Sequence, residues 1–243
     1  MKSTLSRRHF LQISTLSTLT VLGVPRNAKA ESQIKEELTM QKKDVLFVII
    51  SEYADWEPAL LAAALRGGFG MWKPAYDVKT VSLTDKPVLS IGGFRVLPDY
   101  TIDKTPEDYA ALVLIGGTSW HDKSVEAVLP LINEAIHKNI PVGGICDASL
   151  FLAMHGFLDR VEHTFIDKSL MDNNPKYKGG NYFKDVQSAK GGNIITAKPT
   201  GYAEFARDML LALNAAPEKA INDFYKICKY GDIPLLFNYA SAG

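Results

Sequence analysis

Cysteine is scarce in this chain: its 243 residues hold two, Cys146 and Cys228. Two thiols cannot make the disulfide framework of a small secreted scaffold. A single Cys146–Cys228 bridge is the most the chain could form, and the free thiols are the favoured reading. The five histidines show no His/Cys/Asp spacing of a metal centre, so no metal is expected. No glycine loop of the phosphate-cradling kind is present, "RGGFG" included, so no nucleotide cofactor is expected either. Excess positive charge is also missing, since 27 basic residues face 27 acidic ones. After residue 30, no apolar run approaches the roughly 20 residues needed to span a bilayer.

The first thirty residues read differently from the rest. "MKSTLSRRHFLQ" sets Arg7 and Arg8 before Phe10 and Leu11, a twin-arginine pattern. A short apolar stretch follows, and Ala28 and Ala30 in "NAKA" have the spacing of a signal-peptidase site. The expectation is a signal peptide over 1–30, cleavage after Ala30, a polar tether over 31–43, and one domain over 44–243. An exported, periplasmic location follows from that reading, with no stable membrane insertion after cleavage. The leader carries five basic residues and no acidic ones, so the remainder has 22 basic against 27 acidic, a net charge near −5. That balance argues against nucleic acid as a partner.

What the chain does have is an alternation of buried runs and helical segments. "VLFVII" (45–50), "ALVLIGG" (111–117) and "IPVGGIC" (140–146) are apolar enough for strands covered on both faces. "YDVKTVSL" (76–83) alternates like a strand, and "LSIGGFRVLPDYTI" (89–102) reads as a glycine-turned hairpin followed by a loop. "DVQSAKGGNIITA" (185–197) reads as an antiparallel pair. Helices are expected after Asp55 as cap, over 124–139 with a kink or break at Pro130, from Asp147, and over 201–213 and 217–231. The pattern predicts an α/β three-layer sandwich with a mainly parallel central sheet. Reactive groups in such a sheet collect beyond the carboxyl ends of the strands. Glu52, Gly117 and Cys146 each fall at one of those ends.

Cys146, in "GGICDAS", sits where a buried strand turns into a helix. It is either a small core residue or a nucleophile held at a strand-to-helix elbow. The helix N-terminus could lower its pKa toward about 5.5, and the amides of Asp147 and Gly117 could hold an oxyanion. Glu52 is the favoured proton partner. Glu57 is less favoured, because an acid in a first helical turn is expected to serve capping. His163 and His121 are both candidate bases, whereas His137 and His155 read as solvated or structural.

Taken together, "LFVIISEYADWE", "VLPDYTIDKTPEDYAALVLIGG", "VGGICDASLFLA", "HTFIDK" and "GNIITAKPTGYAEFARDML" resemble the ThiJ/PfpI superfamily over about 44–213. The resemblance implies a class I glutamine amidotransferase-like, flavodoxin-like fold. It also implies a nucleophile at Cys146, a glutamate partner at Glu52, an oxyanion-hole glycine at Gly117 and a histidine at His163. Its members, relatives of the parkinsonism-associated deglycase among them, commonly pair as homodimers. Their activities include glyoxalase, deglycase, amidase, isonitrile hydration and proteolysis. The expected function is therefore a cysteine-dependent enzyme acting on a small carbonyl or amide compound. The alternative is a redox-sensing or holdase protein with an oxidisable Cys146. Protease-like members carry His directly after the cysteine, where this chain has Asp147, which weakens a peptidase assignment.

Overall fold

The computed structural model describes residues 42–239. The leader and all but the last two residues of the tether lie outside that range. Lys43, the last residue of the expected tether, already opens the first strand, two residues ahead of the apolar run.

Seven strands form the central sheet: β1 (Lys43–Val48), β2 (Tyr76–Ser82), β5 (Tyr100–Thr101), β6 (Ala111–Leu114), β7 (Val142–Ile145), β8 (Ser188–Gly191) and β9 (Ile194–Ala197). Their order is β5-β2-β1-β6-β7-β9-β8. Every pairing is parallel except β8 with β9. The hairpin of β3 (Val88–Leu89) and β4 (Arg95–Val96) forms a small separate sheet. Among the described residues, five α-helices accompany the sheet: α1 (Trp56–Leu65), α2 (Leu129–His137), α3 (Asp147–Met154), α4 (Tyr202–Leu213) and α5 (Glu218–Tyr230).

The continuous apolar strands explain the two-sided core. Along β1 and just past it, Val45, Phe47 and Ile49 pack with Leu61 of α1, Phe205 of α4 and Phe224 of α5. Leu46, Val48 and Ile50, pointing the other way, pack with Ile132 of α2 and Leu152 of α3. Period-two alternation thus feeds both faces, and helices cover each one. The expected α/β sandwich is the observed fold.

Some local expectations change. At Pro130 the break is found and not the kink: the segment divides into a 3-10 stretch over Lys123–Val128 and α2, with Pro130 in the first turn of α2. Asp55 does not cap α1, because its Oδ2 accepts instead from the Gly92 amide at 2.7 Å, tying the hairpin to the helix start. The loop expected after the hairpin contains β5, which extends the sheet beside β2. No helix among the described residues is long and apolar enough to cross a membrane.

Candidate active site at the β7–α3 elbow

β7 ends at Ile145 and α3 starts at Asp147, so Cys146 makes the whole turn, at φ 59° and ψ −130°. A side chain at positive φ costs about 1–3 kcal/mol and persists only where its surroundings fix it. Three bonds do so. The Cys146 amide donates to the Ala197 carbonyl of β9 at 3.0 Å, and the Cys146 carbonyl accepts from both the amide and the hydroxyl of Ser149. The elbow geometry read from "GGICDAS" is present.

The carboxylate that meets the thiol is Glu57, not Glu52. Glu57 is the first member of the buried stripe Glu57, Leu61, Ala64 and Leu65 on the inward face of α1. Its Oε2 accepts from the Gly116 amide at 2.8 Å, and its carboxyl lies beside the Cys146 thiol, both packed against Gly116. Burial lifts its pKa to about 7, opposed by the neighbouring thiol and the Gly116 amide. Glu52 sits half-exposed at φ 58°, built into the site through its backbone alone. Its amide donates to Leu89 O at 2.8 Å, its carbonyl accepts from Thr118 N at 3.3 Å, and its side chain makes no hydrogen bond among the described residues. The expectation that Glu52 partners the thiol is therefore corrected. A carboxylate four residues past the strand stays at the rim, and the helical turn carries the later one inside.

The thiol is not poised as an anion. Burial pushes the Cys146 pKa well above its ordinary range, and the charges of Glu57 and Asp147 push the same way. The Asp147 amide, donating to sulfur, opposes them without prevailing. Helix-terminus activation toward a pKa of about 5.5 is thus overturned by two nearby carboxyls and desolvation. Asp147 sets its Oδ2 3.9 Å from Sγ. Removing that charge by Asp147→Ala is expected to lower the Cys146 pKa, read by the pH dependence of iodoacetamide alkylation. A profile unmoved or shifted upward would refute the electrostatic account.

Of the two candidate histidines, His121 is the one placed near the elbow. Its exposed ring holds Nε2 3.6 Å from Asp147 Oδ1, so it reaches the sulfur's neighbour and not the sulfur. Trp120 fixes that direction: its indole is buried, donates to Ile115 O at 2.6 Å and packs on Phe151 of α3. His163 does not fit the role of base. It is fully buried, Nδ1 bonds Val161 O at 2.8 Å, and Nε2 bonds the Tyr177 hydroxyl at 2.7 Å. Burial lowers its pKa, and stacked Phe165 completes its enclosure. It anchors the strap over residues 164–187, which neither a loop position nor its own residue type betrays.

Gly117 lies in an antiparallel bridge with Tyr53, in which Ala54 N donates to Gly116 O and Thr118 N to Glu52 O. These two bonds straddle Gly117 and leave its own amide outside the ladder. A Cβ at Gly117 would overlap the Glu52 carbonyl, so glycine is required for this approach. Cys146 and Cys228 are both free, and burial holds Cys228 up to about 11. The described residues contain no group of three His, Cys, Asp or Glu able to hold a metal.

Comparison with known proteins finds relatives in sequence and in fold. The "Uncharacterized protease YdeA" of Bacillus subtilis is 35% identical over 189 residues, covering 78% of this chain and 92% of that protein. The thiJ/pfpI family protein from Bacillus anthracis superposes with TM-score 0.75 at 26% identity, covering 82% and 96% of the two chains. The DJ-1 superfamily protein Atu0886 from Agrobacterium tumefaciens gives TM-score 0.67 at 29% identity, covering 75% and 95%. The DJ-1/PfpI family model spans residues 43–212, from the first residue of β1 to the penultimate residue of α4, and the chain belongs to the DJ-1/PfpI family.

Proposed function

We propose that the chain is a cysteine-dependent enzyme acting on a small electrophilic carbonyl or amide compound. The observation that carries this reading is a buried Glu57 carboxyl, its pKa lifted to about 7 by burial, set beside the thiol of a strained elbow cysteine. A resting thiol of raised pKa needs a base at the moment of attack; of the two carboxyls beside it, Glu57 is the buried one with a pKa raised to about 7. As Sγ bonds the carbonyl carbon, the S–H proton passes to Glu57, and the amides of Gly117 and Asp147 take the developing oxyanion. Glu57 returns that proton to the oxyanion, so for an α-oxoaldehyde the adduct is a hemithioacetal and the carboxylate is free again. Glu57 then moves the proton from the former aldehyde carbon to its neighbour, giving a thioester, and water releases a 2-hydroxy acid and the thiol. One water is consumed, and no electron acceptor is needed.

Peptide hydrolysis, which the name of YdeA describes for that protein, is less well served here. His121 faces Asp147 and not the sulfur, so no Cys–His pair is formed. Oxidant sensing is disfavoured by a thiol that rests protonated between two carboxyls. Methylglyoxal turnover by the wild-type chain, lost in Cys146→Ala, is the expected result. Activity that survives this substitution would overturn the assignment.

A further inference from the structure

Beside the elbow lies a cleft of about 270 Å³ that the mechanism above does not use. Asp147 and His121 form its polar end, which places that end next to Cys146. Its walls are apolar. Leu150 and Met154 come from α3, and Leu170 and Met171 from the strap anchored by His163. Leu170 is 55% exposed although Met171 and Leu150 are buried, so part of an apolar wall stands open to water. Asn174, also on the strap, is the one polar side chain in the walls; its amide nitrogen lies 3.6 Å from the Met171 sulfur and its Oδ1 accepts from the Lys176 amide at 3.0 Å.

These features select among electrophiles. A cavity of about 150 Å³ suffices for a benzene ring, so this cleft takes an aryl or branched alkyl group with room for its linker. A one-carbon arm, as in methylglyoxal, would leave the walls uncovered. At the polar end, the Asp147 carboxylate opposes a second negative charge brought toward the sulfur. We propose that the cleft seats the apolar arm of a neutral electrophile, with Leu170 and Met171 as specificity-determining residues and Asp147 as the group that turns anions away. The substrate class is then an aryl- or alkyl-substituted carbonyl compound, and small oxo acids are excluded. This deepens the reading of Cys146 as the reacting centre and shares its site.

The test uses alkylation of Cys146 in the full chain, followed by peptide mass spectrometry, with Cys228 as internal comparator. Iodoacetamide, N-benzyl iodoacetamide and iodoacetate are compared, each rate divided by its rate with free cysteine. The benzyl reagent is expected to gain at least tenfold over iodoacetamide at Cys146, and iodoacetate to lose at least tenfold. Leu170→Ser, at an exposed position, should remove most of the benzyl gain, and Asp147→Asn should restore iodoacetate. Equal rates for the three reagents would overturn the proposal, as would a benzyl gain untouched by Leu170→Ser. Alkylation needs no turnover, so the two readings fail separately. A chain with the benzyl preference that turns over neither phenylglyoxal nor methylglyoxal keeps the cleft and loses the enzyme. One that turns over both with equal kcat/KM, and shows equal alkylation rates, keeps the enzyme and loses the cleft.

Discussion

Glu57→Gln is expected to make Cys146 easier to alkylate at neutral pH while cutting turnover by two to four orders of magnitude. The two effects have opposite signs because they come from different properties of one carboxyl. As a charge, Glu57 is the largest contributor after burial to the raised thiol pKa. Removing that charge therefore favours the thiolate, by about tenfold for each pKa unit recovered. As a proton carrier, it supplies general acid–base catalysis worth about 10²–10⁴ in rate, and an amide cannot replace it. A merely structural Glu57 would give parallel losses in both assays. The same substitution reports on stability. The folded state raises the Glu57 pKa from 4.5 to about 7, so it binds this proton more tightly than the unfolded chain does. Its contribution is fully present below the unfolded value and is lost as pH rises through about 7. Glu57→Gln should gain on the wild type by up to about 3 kcal/mol between pH 4.5 and 8. Urea titrations across that range that run parallel for the two chains would contradict the burial argument.

Gly116→Ala is expected to be the most damaging single methyl group that can be added to the site. A Cβ there would overlap Cys146 Cβ and lie 2.6 Å from Glu57 Oε2 and 2.7 Å from the Ile145 carbonyl oxygen. Two of these three neighbours belong to the elbow itself, which is bonded to β9 and cannot yield without opening. Overpacking of this kind costs about 1–3 kcal/mol. Displacing Glu57 from the Gly116 amide, with its carboxyl left buried, adds about another 1–3 kcal/mol. A denaturation midpoint near wild type, with methylglyoxal turnover retained, would show that the contact is softer than described.

Much of this was legible in the residues, for identifiable reasons. Both faces of the sheet are covered by helices, so the strands wrote themselves as continuous apolar runs. Cys146 was legible because its strand and helix signals abut with a single residue between them. Glu57 was readable too, although the position after the strand drew attention to Glu52. Glu57, Leu61, Ala64 and Leu65 repeat at i, i+4, i+7 and i+8, a spacing that puts the acid on the buried face of α1. An acid on an apolar stripe is a stronger signal than an acid near a strand end. The histidines were different. His163 and His121 owe their roles to Tyr177, Trp120 and Asp147, contacts set by how the strap and the β6 turn lie across α3, and no local pattern encodes that crossing. The raised thiol pKa was hidden for a related reason, since Asp147 was visible as a neighbour whereas the depth of burial was not.

The protonated, shielded state of Cys146 has a consequence for how the molecule ages. In an unfolded copy the same sulfur returns to an ordinary pKa of about 8.5 and meets solvent freely. The native fold is thus the less nucleophilic form of its own nucleophile whenever no substrate is bound. Oxidants and alkylators consume unfolded copies ahead of folded ones, and each modified copy carries a bulky or charged sulfur that must refold beside the Glu57 and Asp147 carboxyls. Thiol damage then works as a ratchet on the folding equilibrium, so that the lifetime of this site is governed by how often the chain opens.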